Sequence, residues 1–271
     1  MPEDLPMPRL SECERGGIAL ITDDNLFEST GVRMAFTERV GGVSARPYAS
    51  LNLATHVEDD CDAVTRNREI LLAALGAQQA ALVVPNQVHG TELVSIASAD
   101  AACVAQAEQL AAEGADGVLV SCENVAALLC FADCMPVVVV APGGRFTVVH
   151  AGWRGVYARI AVKAVAALCE LAGCEPSQCN VYLGPYIHAK CFEVGEDLER
   201  KFAAEFGQGC IAAPRHVDLG WAMRESLLEA GVDPLRIADA DACTVCNNER
   251  FFSYRAEGGV CGRHGAIAVR I

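Results

Sequence analysis

The segment between Cys134 and His150 restricts the possible folds of this chain more than any other. Two apolar runs that are typical of β-strands, residues 136–141 and 145–149, flank the turn sequence PGGR. Such runs on either side of a Gly-containing turn predict an antiparallel hairpin. One metal-binding side chain stands at the outer end of each run. In the expected pairing Cys134 lies opposite His150, with Cβ atoms about 5 Å apart at the open end of the hairpin.

Strand-like and helix-like segments alternate along the rest of the chain, without an internal repeat. Apolar residues at helical spacing predict helices over residues 62–75, 98–113, 155–172, 196–206 and 218–230. Apolar runs of strand length predict further strands over residues 17–22, 32–36, 81–84, 92–96, 117–120, 126–131, 180–183, 235–238 and 265–271. The alternation predicts an α/β fold with a mixed sheet. We expect a single domain over residues 17–271, preceded by a flexible N-terminal tail over residues 1–16.

Composition and charge narrow the class of partner. Hydrophobic residues make up 52% of the 271 residues and charged residues 21%, which is typical of a globular protein. The net charge is −14 and no basic stripe is present, so we expect small-molecule partners and no nucleic acid. No apolar run reaches the ~20 residues of a membrane helix, and the first residues lack the pattern of a signal peptide. The fourteen scattered cysteines indicate reduced thiols. We therefore expect a cytoplasmic protein without a membrane partner, and the oligomeric state stays open.

The facing pair Cys134 and His150 suits either one metal ion or a thiolate–imidazolium pair. A catalytic zinc takes three protein ligands and leaves one position open, so a third ligand is needed. The chain has six histidines. The context of His89, in the sequence VVPNQVHGTELV between two strand-like runs, favours it as the third ligand. Spacing alone does not distinguish His89 from His56.

The residues after His150 predict an anion-binding position. The sequence AGWRG leads into the helix that we expect to begin near Gly155, and Arg154 lies beside that helix start. Unpaired N–H groups at a helix start and a guanidinium both bind anions. A metal ion next to such a position favours phosphoryl, carboxylate or nucleophilic-water chemistry.

Blocks of sequence along nearly the whole chain resemble a known family. The blocks are, in order, FTERVGGVSARPYASLNLATHVEDD, NQVHG, ADGVLV, ADCMPVVV, VVHAGWRG, LGPYIHAKCFEVG and CTVCNNERFFSYR. They are similar, in the same order, to the YfiH-like family. This family is also called the laccase-domain, multicopper polyphenol oxidase or peptidoglycan-editing-factor family.

The resemblance implies a fold and a metal site. The fold is a layered α/β sandwich with mixed sheets, similar to a group of proteins described as cysteine hydrolases. The zinc site is formed by His89, Cys134 and His150, which are also the catalytic residues. Copper is the alternative metal.

The resemblance also implies an activity on purine nucleosides. Adenosine, inosine and S-methyl-5′-thioadenosine are cleaved by phosphate to the free base and a ribose 1-phosphate, and adenosine is also deaminated. Phosphate is then the cosubstrate. Arg39 and Arg154 are the predicted substrate-binding residues. Asp133 and Glu193 are the candidates for the group that protonates the leaving base.

Two other functions stay open at this stage. A copper-dependent polyphenol oxidase of the laccase type needs several copper sites rich in imidazole, whereas this chain has six histidines and no His-x-His pair. A metal-free hydrolase that edits peptidoglycan precursors would use Cys134 as nucleophile and His150 as base. Metal dependence distinguishes the hydrolase from the zinc enzyme.

A non-enzymatic alternative concerns the C-terminal part of the chain. Cys243-x-x-Cys246 and Cys261-x-x-His264 have the spacing of a structural zinc ribbon. This spacing predicts a second zinc ion if all four side chains meet. Within the same part of the chain, Tyr254 or Arg255 is expected to reach the substrate pocket.

Overall fold

The computed structural model describes residues 4–271. The strands are β1 (Ser11–Arg15), β2 (Ile18–Thr22), β3 (Val32–Thr37), β4 (Ala81–Val83), β5 (Leu93–Ile96), β6 (Gly117–Val120), β7 (Val125–Phe131), β8 (Met135–Ala141), β9 (Arg145–Ala151), β10 (Asn180–Leu183), β11 (Ile211–Ala213), β12 (His216–Val217), β13 (Ile237–Asp239) and β14 (His264–Arg270). The helices are α1 (Asp24–Thr30), α2 (Cys61–Ala74), α3 (Ala101–Glu113), α4 (Trp153–Tyr157), α5 (Ile160–Ala172), α6 (Glu196–Phe206) and α7 (Leu219–Glu229).

The strands form two six-stranded sheets and one small two-stranded sheet. The first sheet has the order β1-β2-β3-β14-β7-β4, the second has the order β13-β10-β8-β9-β6-β5, and β11 pairs with β12. Both large sheets are mixed, because β4 runs parallel to β7 in the first and β5 runs parallel to β6 in the second. Their other pairings include the antiparallel β8–β9 hairpin.

The two large sheets face each other and helices cover their outer sides. Alternate residues fill the space between the sheets, among them Leu129 of β7 and Val138 of β8. The intervening residues, such as Val137 and Val139, face helices α4, α5 and α7 on the outer side of the second sheet. Leu71 of α2 packs on the outer side of the first sheet. This arrangement confirms the expected α/β fold as a layered sandwich with mixed sheets.

The hairpin forms as expected, but its register differs from the prediction by two residues. His150 lies opposite Pro136, not opposite Cys134, and Ala141 pairs with Arg145 around a three-residue turn. Gly143 and Gly144 in this turn both have positive φ, 83° and 75°. A shift of two residues leaves every side chain on the same face of a strand. The sulfur of Cys134 therefore still faces the ring of His150.

Two expectations about the elements are wrong. The segment expected to be a flexible tail contains β1, which pairs with β2 over its full length, while residues 1–3 lie outside the described residues. The single helix expected over residues 155–172 is divided into α4 and α5, because Arg159 adopts a left-handed conformation with φ 57°. The Arg159 guanidinium forms ion pairs with Glu205 and Glu229. Within residues 4–271, none of the helices is both long and apolar enough to span a membrane.

Candidate metal centre

The structure brings together the three side chains that the sequence pointed to as metal ligands. His89 lies in the loop between β4 and β5, Cys134 in the turn between β7 and β8, and His150 near the end of β9. One potential ligand atom from each lies within 4.8 Å of the other two. The sulfur of Cys134 is 3.9 Å from Nε2 of His89. We call these three residues the candidate metal centre.

The carboxylate of Asp116, which directly precedes β6, holds two of the three ligands in place. Its Oδ1 lies 2.7 Å from Nδ1 of His150, so Nε2 is the ring nitrogen left to face a metal. The backbone N–H groups of Val88, His89 and Gly90 donate to the two carboxylate oxygens. These bonds fix the turn in which His89 has a φ of 59°. A carboxylate that hydrogen-bonds a ligating imidazole is the usual partner of a histidine in metal sites.

Space and donor chemistry at this position fit a metal ion. A Cβ atom at Gly152 would lie 3.0 Å from the sulfur of Cys134 and 3.0 Å from Cδ2 of His89. Glycine at this position therefore leaves room for the ligand side chains. Two imidazoles and one thiolate form a donor set that suits zinc or copper, and three protein ligands leave one coordination position open.

Charge at the centre is organised around the pair of Cys134 and His150. Burial raises the pKa of the Cys134 thiol, but the neighbouring His150 and His89 outweigh this effect and lower the pKa to about 6. Burial lowers the pKa of His150, but Cys134 and Asp116 outweigh it and raise the pKa to about 9. The pKa of Asp116 lies below its ordinary value, because hydrogen bonds from His150 and Gly90 outweigh the effect of burial. Without a metal, the pair is a thiolate–imidazolium at neutral pH.

A cavity of about 470 Å³ opens onto the candidate metal centre. This volume is within the range of small-molecule sites. Its lining residues beyond the three ligands are His56, Gln87, Cys130, Ala132, Asp133, Trp153, Ile187, Phe192, Leu219, Tyr254, Arg255 and Arg263. Two of the lining residues, Arg255 and Arg263, are cationic. They bring local positive charge, which favours an anion, to a chain whose net charge is −14.

Asp133 connects the turn that carries Cys134 to the cavity wall. Its Oδ1 accepts hydrogen bonds from the hydroxyls of Thr244 and Ser253, at 2.6 Å and 2.7 Å. Its Oδ2 accepts a bond of 2.7 Å from the backbone N–H of Arg255. With these three donors bound to it, the Asp133 carboxylate positions Cys134 and Arg255 relative to each other.

The predicted substrate-binding arginines lie elsewhere than the cavity lining. Arg39 forms an ion pair of 3.0 Å with Glu257, and the Arg154 guanidinium lies 4.4 Å from the ring centroid of Trp153. The carboxylate of Glu193, one of the two candidate proton donors, pairs with Arg215. The Trp153 ring that Arg154 contacts does line the cavity.

Some residues that line or support the site were missed in the sequence, and others were anticipated. Asp116, Gln87 and Arg263 were not singled out, although Asp116 and Gln87 stand in the blocks ADGVLV and NQVHG. Gln87 fixes its loop by exchanging two hydrogen bonds of 2.8 Å with the backbone of Cys130. The signal available for finding Asp116 and Gln87 was their place in these two blocks. Tyr254 and Arg255 do reach the cavity, as expected.

The four side chains of the possible zinc ribbon do not meet. In the described chain, Cys243 and Cys246 cluster with Cys191 instead of Cys261 and His264. The ring of His264 is completely buried and lies against Phe131 and Phe251. The spacing of the two pairs did not reveal this separation, because β14 begins at His264 and carries its side chain between the two large sheets.

The chain is similar to known proteins over most of its length. The model of a family described as multi-copper polyphenol oxidoreductase laccase matches residues 33–270. A purine nucleoside phosphorylase of Deinococcus radiodurans is 36% identical over 256 residues, which are 93% of this chain and 92% of the relative. A protein named adenosine deaminase RL5, from an unknown prokaryotic organism, is 33% identical over 238 residues, with 84% of this chain and 90% of the relative covered.

Solved structures show the same architecture. The crystal structure of YlmD from Geobacillus stearothermophilus has a TM-score of 0.82 at 29% identity and covers 99% of both chains. That of the Bacillus licheniformis hypothetical protein YfiH has a TM-score of 0.84 at 26% identity, with 95% of this chain and 98% of the other covered.

Proposed function

The chain belongs to the multi-copper polyphenol oxidoreductase laccase family, as its sequence blocks indicated, and from this membership we infer that it is an enzyme of purine nucleosides. Curated relatives at 34% and 33% identity are named purine nucleoside phosphorylase and adenosine deaminase. We propose that this chain cleaves adenosine, inosine and S-methyl-5′-thioadenosine with phosphate and deaminates adenosine, and that zinc is its metal.

The observation that carries the proposal is the convergence of His89, Cys134 and His150 at the floor of the cavity. Zinc bound by these residues supplies a Lewis acid with one open coordination position. The donor set contains one thiolate, and the carboxylate of Asp116 orients His150. Both features are common in zinc sites. Copper is compatible with the same ligands, and the choice of zinc is part of the proposal.

The cavity walls suit the two parts of a nucleoside reaction. In phosphorolysis, a phosphate oxygen forms a bond to ribose C1′ while the bond to the base breaks, and the base leaves with a proton. Arg255 and Arg263 lie where they can bind the phosphate, and their fixed charges favour the anion. The Arg255 guanidinium is held by the carbonyls of Cys191 and Glu193, at 3.0 Å and 3.2 Å. The aromatic and apolar side chains of Trp153 and Phe192 offer a surface for the purine ring.

The roles of Arg39 and Arg154 in binding substrate, and of Asp133 or Glu193 in protonating the base, stay predictions. Arg39 reaches Glu257 and two backbone carbonyls, so in the free protein it supports the loop around residues 248–257. The predicted cytoplasmic location also stays a prediction.

The proposal is tested by assaying the Cys134→Ala variant. Purified protein is incubated with inosine, with and without phosphate, and hypoxanthine and ribose 1-phosphate are measured together with bound zinc. We expect the unmodified chain to release both products only with phosphate. Cys134→Ala should lose the zinc ion bound at the candidate metal centre, and with it the activity, while its circular dichroism spectrum is unchanged.

Cys122→Ala is the matched control, because Cys122 is half-buried like Cys134 and lies after β6, away from the cavity. It should keep both zinc and activity. A folded Cys134→Ala protein that still cleaves inosine would contradict the proposal.

One observation favours a second candidate function, a cysteine hydrolase that edits peptidoglycan precursors. The thiol of Cys134 has a pKa lowered to about 6, and His150 beside it has a pKa raised to about 9. An imidazolium-paired thiolate is the form in which cysteine acts as a nucleophile. Such a hydrolase works without zinc. Hydrolysis of peptidoglycan precursors that survives complete removal of zinc by a chelator would therefore favour it over the phosphorylase.

A further inference from the structure

The loop after β10 and the turn around residues 243–250 bring together three thiols, of which one is exposed, one half-buried and one buried. Ligand atoms of Cys191, Cys243 and Cys246 lie within 4.8 Å of one another, and the sulfurs of Cys191 and Cys246 are 3.5 Å apart. We call these residues the thiol cluster. Around a tetrahedral zinc with bonds of about 2.3 Å, neighbouring sulfurs are about 3.8 Å apart. The observed separations therefore need little movement to admit an ion.

From this juxtaposition we propose that Cys191, Cys243 and Cys246 bind a thiophilic metal ion such as Zn²⁺, at a second site separate from the candidate metal centre. Thiolates are the preferred protein ligands of Zn²⁺ and Cu⁺. Three of them hold the ion, and water or a small anion completes its coordination. The site goes beyond the proposed function, since none of its ligands lines the cavity.

Hydrogen bonds of the surrounding backbone hold the thiol cluster. The N–H of His188 donates to the sulfur of Cys243 at 3.4 Å. Two residues separate Cys243 from Cys246, and the N–H of Asn247 donates to the Cys243 carbonyl at 3.0 Å, closing a turn that contains both cysteines. An N–H directed at sulfur, such as that of His188, stabilises the negative charge that a metal-bound thiolate carries. The ammonium of Lys190 next to Cys246 adds a positive charge.

A second group of three cysteines shows what the thiol cluster has in addition to proximity. Cys169, Cys174 and Cys179 are as close together, with sulfur separations of 3.6 Å and 3.9 Å. Cys169 and Cys179 are buried, however, and Cys174 is half-buried. In the thiol cluster Cys243 is buried, but Cys246 is exposed and Cys191 half-buried, so an ion can approach from solvent on the side of these two residues.

Binding at the thiol cluster would fix one wall of the cavity. Cys191 directly precedes Phe192, which lines the cavity, and its carbonyl accepts a hydrogen bond from Arg255. The ion would join this loop to the turn of Cys243 and Cys246. The metal is therefore expected to stabilise the protein against heat as well as to occupy the site.

The test counts bound zinc in four forms of the full-length chain under reducing conditions. After loading with Zn²⁺ and removal of free metal, the unmodified chain should hold two ions. Cys134→Ala should hold one, at the thiol cluster, and Cys246→Ser should hold one, at the candidate metal centre. Cys174→Ser, the control from the buried group, should hold two.

Cobalt distinguishes which ligands are used. Co²⁺ in Cys134→Ala should give a thiolate-to-metal charge-transfer band about three times as intense as in Cys246→Ser, because three thiolates replace one. Zn²⁺ should also raise the melting temperature of Cys134→Ala. A folded Cys134→Ala protein that binds no zinc, or a Cys246→Ser protein that keeps two ions, would overturn the proposal. Neither result bears on whether the enzyme cleaves nucleosides.

Discussion

Two buried histidines, His150 and His264, lie against the ring of Phe131 and differ in the direction of their pKa shifts. The ring centroid of His150 is 5.4 Å from that of Phe131, and the centroid of His264 is 6.3 Å away. The two side chains are 3% and 0% exposed. Burial lowers the pKa of His264 to about 3. In His150 the same effect is outweighed by Cys134 and Asp116, which raise the pKa to about 9.

The difference shows why two buried histidines can differ in charge. His264 has the Pro185 carbonyl nearby, but among the described residues neither ring nitrogen has a partner with hydrogen-bond geometry. It stays neutral and acts as part of the core. His150 has a buried carboxylate on one nitrogen and a thiolate on the other side. Counter-charge, and not burial, separates the site from the core.

The largest expected effect concerns the pH dependence of stability. In the folded chain, the pKa of His264 is lowered from its ordinary value of 6.5 to about 3. Between these values the unfolded chain binds the proton and the folded chain does not, so stability falls as pH falls from about 6.5 to about 3. The contribution of neutral His264 to the free energy of unfolding is therefore complete above pH 6.5. Its loss by pH 3 amounts to roughly 3–5 kcal/mol.

His264→Phe tests this expectation, because it keeps an aromatic ring beside Phe131 and removes the titrating group. Urea unfolding of the two proteins at a series of pH values should show a smaller loss of stability in the variant between pH 6 and pH 4. Parallel curves for the two proteins would show that His264 does not stay neutral.

The second effect follows from removing the negative charge of Asp116 that pairs with His150. Asp116→Asn removes the buried negative charge, and it also places an amide where two backbone N–H groups now donate to Oδ2. We expect zinc affinity and nucleoside cleavage to fall by about 10- to 100-fold, the usual cost of losing a carboxylate behind a metal-binding histidine.

Asp239→Asn is the matched control. Asp239 is a largely buried carboxylate that pairs with Arg224 at 3.2 Å, outside the cavity lining. The Asp239→Asn variant should bind zinc with unchanged affinity, as measured by competition with a chelating dye. An equal loss in both variants would mean that Asp116 acts through general stability and not through His150.

The third effect is the release of a proton when zinc binds. Between about pH 7 and pH 8.5, Cys134 with a pKa of about 6 is already a thiolate, whereas His150 with a pKa of about 9 must lose its proton to ligate. Zinc affinity should therefore rise about tenfold per pH unit in this range. Calorimetry of Cys246→Ser in buffers of different ionisation enthalpy measures the proton directly. Binding without proton release would show that His150 is neutral before zinc arrives.

The smallest effect is the loss of zinc affinity when a methyl group at residue 152 crowds the sulfur of Cys134. Gly152→Ala adds a methyl group 3.0 Å from the Cys134 sulfur, and the φ of −67° is one that alanine adopts freely. We expect about a tenfold loss of zinc affinity. Gly195→Ala is the control, since Gly195 also precedes a helix, has a φ of −73° and has no neighbour within 4 Å of the added atom.

The pattern of the sequence predicted the regular elements well, where their apolar residues repeat. It did not predict β1, whose sequence SECER is polar because the strand lies at a sheet edge and is largely exposed. It also missed the break at Arg159. The apolar spacing of Val156, Ile160 and Ala164 continues across that residue, and one left-handed residue leaves no mark on such spacing.

The meeting of the three side chains of the candidate metal centre was predictable, and the residues that support them were not. Cys134 and His150 flank a hairpin, so a pairing that was wrong by two residues still placed them on one face. The partner of His150 could not be found in this way. Asp116 is far from His150 in sequence, and apart from its place in the block ADGVLV nothing distinguishes it from the other acidic residues of the chain. Arg263 likewise reaches the cavity from a loop whose path depends on the whole fold.

The most direct test of the metal centre is X-ray absorption at the zinc edge of Cys246→Ser loaded with one equivalent of Zn²⁺. Ligation by His89, Cys134 and His150 predicts one sulfur at about 2.3 Å and nitrogen neighbours at about 2.0–2.1 Å. A first shell without sulfur, or with sulfur alone, would contradict it.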